Sequence, residues 1–177
     1  MLSDKETVMM QQVIQMGEKA TELSLATLDY SRPYVSAMGF VFRREVGELG
    51  FISVILSDLA QHAKNIQRNL EVSCLIMEPG EKPIHDKMRF SFICKAEVLM
   101  PGKDDKKLTY YQTKYIERYP TAANLLKKED VRFYELNPFE VRWVMEYGKY
   151  RVYVKRQHQW LLRTDVDADR AEREGSL

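Results

Sequence analysis

The stretch Ser53-Val-Ile-Leu-Ser57-Asp-Leu-Ala-Gln61-His62-Ala-Lys64-Asn65-Ile-Gln-Arg68-Asn69 changes its hydrophobic period midway. Through Leu56 it is an apolar run of strand character. Beyond it Leu59, Ala63 and Ile66 recur at helical spacing, which predicts a helix over 58–69 with Ser57 as its N-cap. A strand feeding directly into a helix aims free backbone N–H groups and the helix dipole at one point, a place that suits an anion. Ser57, Gln61, Lys64 (or Asn65) and Arg68 then form one polar, cationic stripe opposite the apolar one. That stripe has two readings: a holder for a phosphate-bearing ligand, or a solvated helix face with an ordinary cap.

Working outward, the flanking segments read as short strands separated by turn residues. Toward the N-terminus, residues 22–29 run into the turn Tyr30-Ser-Arg-Pro33, 34–43 form a second strand, and a turn at 45–48 leads to a third at 49–56. These connections are too short for parallel crossovers, so an antiparallel meander is expected. Ser3 and Glu6 form a capping box before a helix at 4–19, whose methionines read as a packed face. Toward the C-terminus a strand at 71–78 stops at Pro79-Gly80. The run 87–99 alternates cleanly, with Met88, Phe90, Phe92, Cys94, Ala96 and Val98 on one face and Arg89, Ser91, Lys95 and Glu97 on the other. A helix at 104–118 ends at Pro120, a short helix follows at 121–128, and 131–145 and 149–155 are two further strands.

Six to seven antiparallel strands with inserted helices predict a mostly β fold, a closed or nearly closed barrel with peripheral helices. The length of 177 residues fits one domain over 1–163 followed by a polar tail at 164–177. A formal net charge of +1 gives no global attraction to nucleic acid or acidic lipid. No apolar run reaches the ~20 residues that span a bilayer, and the N-terminus lacks a secretory pattern, so a cytoplasmic protein is expected. Cys74 and Cys94 sit in apolar runs outside any Cys-x-x-Cys pair and read as buried reduced thiols.

No hydrolase, P-loop or dinucleotide motif is present. His62, His85 and His158 are not spaced as a metal cluster, so no metal site is expected. Arg89, on the polar face of an apolar strand, reads either as an exposed strand arginine or as a substrate-orienting group. Tyr147-Gly148-Lys149-Tyr150 is either a plain bend or a place of close backbone approach.

Taken in order, these segments resemble the pyridoxamine 5'-phosphate oxidase-like, FMN-binding split-barrel superfamily, and within it the haem-utilisation branch. The resemblance rests on Leu25-Ala-Thr-Leu-Asp29 with Arg32-Pro33 and Ser36, on Ser57-Asp-Leu-Ala-Gln-His-Ala-Lys-Asn65, on Asp86 with Arg89, on Tyr115-Ile-Glu-Arg-Tyr-Pro-Thr-Ala122 and on Phe133-Tyr-Glu-Leu136. It implies an FMN-type split barrel working as a homodimer, with a site at each end of the subunit interface. Ser53, Ser57, His62, Lys64 and Asn65, with Gln61 in the same stripe, would hold the ribityl phosphate side. Thr27 and Ser36 would lie near the isoalloxazine ring, Arg89 at the open face, and Tyr147 to Tyr150 would come from the partner. The Ser-Arg-Lys phosphate motif of the true oxidases is missing. The implied activity is an FMN-dependent oxidation or reduction of a small molecule. The alternatives are a haem-binding or haem-degrading protein, for which His62, His85 and His158 supply the imidazoles, and a non-catalytic flavin-binding module.

Overall fold

The computed structural model describes residues 4–44, 50–146, 149–156 and 159–163. Nine strands form one antiparallel sheet in the order β2-β1-β5-β6-β7-β4-β3, with β8 and β9 branching from β7. They are β1 (Leu23–Asp29), β2 (Arg32–Met38), β3 (Val41–Arg43), β4 (Phe51–Ser57), β5 (Glu71–Met77), β6 (Arg89–Val98), β7 (Val131–Glu146), β8 (Lys149–Arg156) and β9 (Gln159–Leu162). Three helices, α1 (Asp4–Lys19), α2 (Gln61–Arg68) and α3 (Asp105–Arg118), pack around it, and a 3-10 segment spans Pro120–Lys127. The Ser3–Glu6 capping box and the 164–177 tail lie outside the described residues.

Period two decides which side chains enter the core. Phe90, Phe92, Cys94 and Ala96 of β6 are all buried, as their alternation predicts, and Phe90 stacks on Trp143 at 5.7 Å. β7 is long because it serves two half-sheets: 131–136 pair with β4, 140–146 pair with β8, and both halves pair with β6. The switch falls where Cys94 opposes Pro138 and Ile93 opposes Glu140, which leaves Phe139 as an extra residue. Pro138 has no N–H for the ladder, so the strand bulges and bends there.

Three expectations need correction. The sheet is open rather than closed or nearly closed, because its edge strands β2 and β3 do not pair with each other. It has nine strands rather than six or seven, since the run 34–43 divides into β2 and β3 and a short β9 is added. Nor is the N-terminal half a meander: β1–β2 and β3–β4 are hairpins at opposite edges, and β1 pairs instead with β5. The break lies at Gly39-Phe40, where the Tyr119 hydroxyl takes the place of a ladder partner. It accepts from Phe40 N–H at 3.0 Å and approaches the Phe40 carbonyl at 3.1 Å. A Cβ on Gly39 would come within 2.9 Å of the Tyr119 ring, so glycine permits that approach.

Two cores result. One fills the barrel interior beneath α1 and α2. The smaller one joins Val41, Leu99 and Phe133 to Tyr111 and Tyr115 of α3.

Candidate functional site

The helix of the opening motif starts later than its apolar spacing predicts. Residue 60, not Ser57, is the N-cap of α2, and Ala60 offers no side-chain cap. Ser57 is the last residue of β4, where its hydroxyl donates to Asp130 and accepts from Leu59 N–H at 3.2 Å. It therefore caps the turn 58–60 and not the helix. Asp130 is held below the usual carboxylate range by that hydroxyl. Leu59, assigned by spacing to the buried face, is 74% exposed, while Ala63 and Ile66 are buried as expected.

What α2 does with its polar residues is clear from their partners. Asn65 is fully buried and donates to Thr27 Oγ1 at 3.0 Å, while its own Oδ1 accepts from Gln61 Nε2 at 2.8 Å. The Gln61 amide also donates to Asp29 at 3.2 Å. Arg68 lies 3.6 Å from the same carboxylate and 4.7 Å over the ring of Tyr30. His62 Nδ1 is 3.1 Å from Ser36 Oγ. The predicted residues Thr27, Ser36, Gln61, His62 and Asn65 are thus brought together, and they latch α2 onto the β1–β2 hairpin. Lys64 is exposed on the helix surface.

The remaining predicted residues lie elsewhere. Ser53 is fully buried and donates to the Tyr134 carbonyl at 3.1 Å. Arg89 donates to the backbone carbonyls of Ile84 at 3.1 Å and Lys87 at 3.4 Å, which fastens the loop before β6. Arg89 opposes Val144, and Val144 opposes Tyr150, so Arg89 and Tyr150 share one register row. That row stands five residues along the strands from Thr27, roughly 17 Å at about 3.4 Å per residue. Tyr147 and His158 lie outside the described residues. His85 is exposed in the 3-10 turn Ile84–Asp86.

These contacts bear on which ligand fits. A flavin phosphate at the start of α2 would meet Asp29, Asp58 and Asp130, while Arg68 and Arg132 already lie against Asp29 and Asp58. Ser53 and Ser57 donate their hydroxyls within the chain, and the buried Asn65 amide donates to Thr27. The carboxylates around the start of α2 weigh against a phosphate there, and the exposed Lys64 is a cation on its surface. His62 is different: it is half-buried, burial lowers its pKa and favours the neutral ring, and Nε2 makes no hydrogen bond to the described residues. Tyr34 lies one pleat from Ser36 on the same face of β2, and Leu59 is exposed in the turn before α2. A neutral imidazole can ligate a metal ion.

Sequence reasoning missed a second polar cluster. Glu135 of β7 is 1% exposed and takes Arg43 Nη2 at 3.0 Å, Lys107 Nζ at 2.6 Å and the Tyr111 hydroxyl. Burial pushes its carboxyl up, but those three donors outweigh burial and hold it below the ordinary glutamate range. Burial, with Glu135 alongside, raises the Tyr111 hydroxyl well above the usual phenol value. No signal in a lone strand glutamate announces such partners. Also unforeseen are two clefts of about 340 and 450 Å³ that share Thr21, Glu22 and Ala37; neither is lined by a histidine.

No family profile and no curated protein matches the sequence. Solved structures do. A heme-binding protein from Mycobacterium smegmatis aligns with a TM-score of 0.70 and 20% identity over 82% of this chain. This chain spans only 57% of that protein. HutZ, the heme storage protein of Vibrio cholerae, gives a TM-score of 0.60 and 24% identity over 72% of this chain and 88% of its own. A putative pyridoxamine 5'-phosphate oxidase from Listeria innocua gives 0.60 and 11% identity over 78% and 99%. The chain therefore has the split-barrel fold of the pyridoxamine 5'-phosphate oxidase-like proteins. Its structural neighbours include proteins of haem binding and storage.

Proposed function

We propose that this chain is a haem-binding split-barrel protein that works as a homodimer. The observation that carries the reading is the contrast at α2. Of the groups expected to cradle a flavin phosphate, Ser53, Ser57 and Asn65 are bonded inside the chain and Lys64 lies exposed on the helix, while the half-buried His62 imidazole keeps one ring nitrogen. The fold shared with a heme-binding and a heme-storage protein supports the same choice. Haem would bring an iron that needs a protein ligand and a large apolar ring, and Tyr34 and Leu59 are exposed apolar side chains on β2 and in the turn before α2.

The dimer reading rests on the outward face of the sheet. One register row runs Val35, Ala26, Ser73, Ile93, and the next runs Ala37, Ser24, Leu75, Ser91. Both rows cross four strands without a charge, and Val35 is 63% exposed. An uncharged β face of this extent is self-complementary material for a two-fold interface.

Thermal melts with each ligand test the function. A ligand bound only by the folded protein raises its stability by mass action, so haemin should raise Tm and FMN at the same concentration should not. The reverse pattern would overturn the reading in favour of the flavin. Sedimentation of the Val35→Asp variant tests the interface: the native protein should run as a dimer and the variant as a monomer.

A further inference from the structure

Tyr115 of α3 carries a hydroxyl that the fold does not use. Its ring packs 6.0 Å from Phe133 and 4.7 Å from Tyr119, and the residue is 5% exposed. The hydroxyl makes no hydrogen bond to the described residues. Phenylalanine would pack equally well and avoid the cost of a polar group left without a partner. Burial raises the hydroxyl above the usual phenol value, so it stays a neutral O–H. Tyr115 lines the larger of the two clefts beside the start of β1, about 450 Å³, a size in the range of small-molecule sites. Gly39 lines it too. A Cβ there would stand 3.0 Å from the Tyr115 oxygen, so the glycine keeps that oxygen uncovered on the cleft side.

The rest of the lining selects what can meet that hydroxyl. Among the described residues Glu22 is the one charged side chain on the cleft, and its carboxylate has no partner among them. Tyr119 commits its hydroxyl to Phe40 and to the Thr21 carbonyl, which leaves its ring as a wall. A carboxylate and a phenol oxygen accept hydrogen bonds, and a tyrosine ring face attracts positive charge. We propose that this cleft binds a small organic ammonium, whose N–H groups donate to the Glu22 carboxylate and the Tyr115 oxygen. Glu22 repels an anionic ligand, and no residue of α2 lines the cleft, so the site is separate from the one assigned to haem. Ala37 begins one row of the face assigned to the dimer, whereas Glu22 and Tyr115 belong to neither row.

The probe is benzylamine, with benzyl alcohol and benzoate as its neutral and anionic counterparts, each titrated into the full chain at neutral pH and followed by calorimetry. Benzylamine should bind at least about 10-fold more tightly than either counterpart, and added salt should weaken it by screening. Glu22→Gln keeps the shape and removes the charge, and should abolish the preference for the amine over the alcohol. Tyr115→Phe should weaken the amine about 3- to 10-fold. Its thermal midpoint should equal or exceed that of the native protein, because the substitution breaks no hydrogen bond to the described residues. That midpoint separates a lost ligand contact from a damaged fold. Equal affinity for benzylamine and benzyl alcohol, or amine binding unchanged in either variant, would overturn the proposal. So would the failure of all three probes to bind at millimolar concentration, which would leave an ordered water as the partner of Tyr115. Haemin titration of both variants should match that of the native protein, so the haem reading stands or falls on its own.

Discussion

Two polar clusters fasten helices to this sheet, one beneath α3 and one beneath α2, and they differ in what they leave over. Under α3, the buried Glu135 carboxylate is matched by Arg43, Lys107 and Tyr111, and Arg43 also stacks 4.5 Å over Phe51. Under α2, the bonds among Thr27, Asn65 and Gln61 are between neutral groups, and Asp29 at the margin takes Arg68. The first cluster spends its charges on the fold. The second holds its helix with amides and a hydroxyl, and so leaves the His62 imidazole facing outward with one nitrogen uncommitted among the described residues. The comparison teaches that heavy charge is a poor marker of a site when each charge is already answered. A half-buried neutral group with one satisfied atom and one open atom marks it better.

Breaking the charged cluster should cost most. Glu135→Ala leaves the half-buried Arg43 without its carboxylate while Lys107 can turn to water; removing one partner of a buried ion pair costs about 3–5 kcal/mol, and the low end of that range is expected here. Urea denaturation at neutral pH should show a loss of that size, with haemin binding by the residual folded protein unchanged. The pH dependence follows in sign. A carboxylate whose folded pKa is depressed stabilises the fold above its unfolded value, about 4.3 for glutamate, and that stability is lost as pH falls through the folded value. The gap in urea midpoint between native protein and Glu135→Ala should therefore be full at pH 7 and shrink below about pH 4.

The neutral latch should cost less. Asn65→Ala leaves the buried Thr27 hydroxyl and the Gln61 amide short of partners, worth about 1–3 kcal/mol. Equal losses for Asn65→Ala and Glu135→Ala in the same urea series would erase the distinction drawn between the clusters.

The smallest effect is expected at the hairpin tip. Tyr30 is 78% exposed and adopts a left-handed backbone with φ 56°. A bulky side chain there costs about 1–2 kcal/mol. Its contact with Arg68 returns about 0.5–1 kcal/mol. Tyr30→Gly should thus raise stability slightly, by less than about 1 kcal/mol in the same urea assay. A clear loss instead would show that the Tyr30–Arg68 contact contributes to the latch.

The sequence made some of this legible and hid the rest for physical reasons. Strand β6 could be read residue by residue, because its alternation reports one wet and one dry face. Thr27 sits at the inward parity of Leu23 and Leu25, and a polar group at such a position needs a partner, which Asn65 provides. The break between β2 and β3 was not legible, since it depends on the hydroxyl of Tyr119, 79 residues away from Phe40. The bend at Pro138 was hidden inside a run that otherwise reads as one strand. Ser57 passed for a helix cap because nothing local reveals that Asp130 would take its hydroxyl. Arg89, read either as an exposed strand arginine or as a substrate-orienting group, donates to two loop carbonyls that sequence spacing does not place.

The proposed function requires this split barrel to take haem and not FMN. Titrating haemin into the purified protein in the presence of excess FMN, with absorption recorded on the protein after gel filtration, tests it most directly. A saturating Soret band retained with the protein, and no flavin absorption alongside it, is the predicted result. Retained flavin without a Soret band would contradict the account and return the α2 stripe to the role of a phosphate holder.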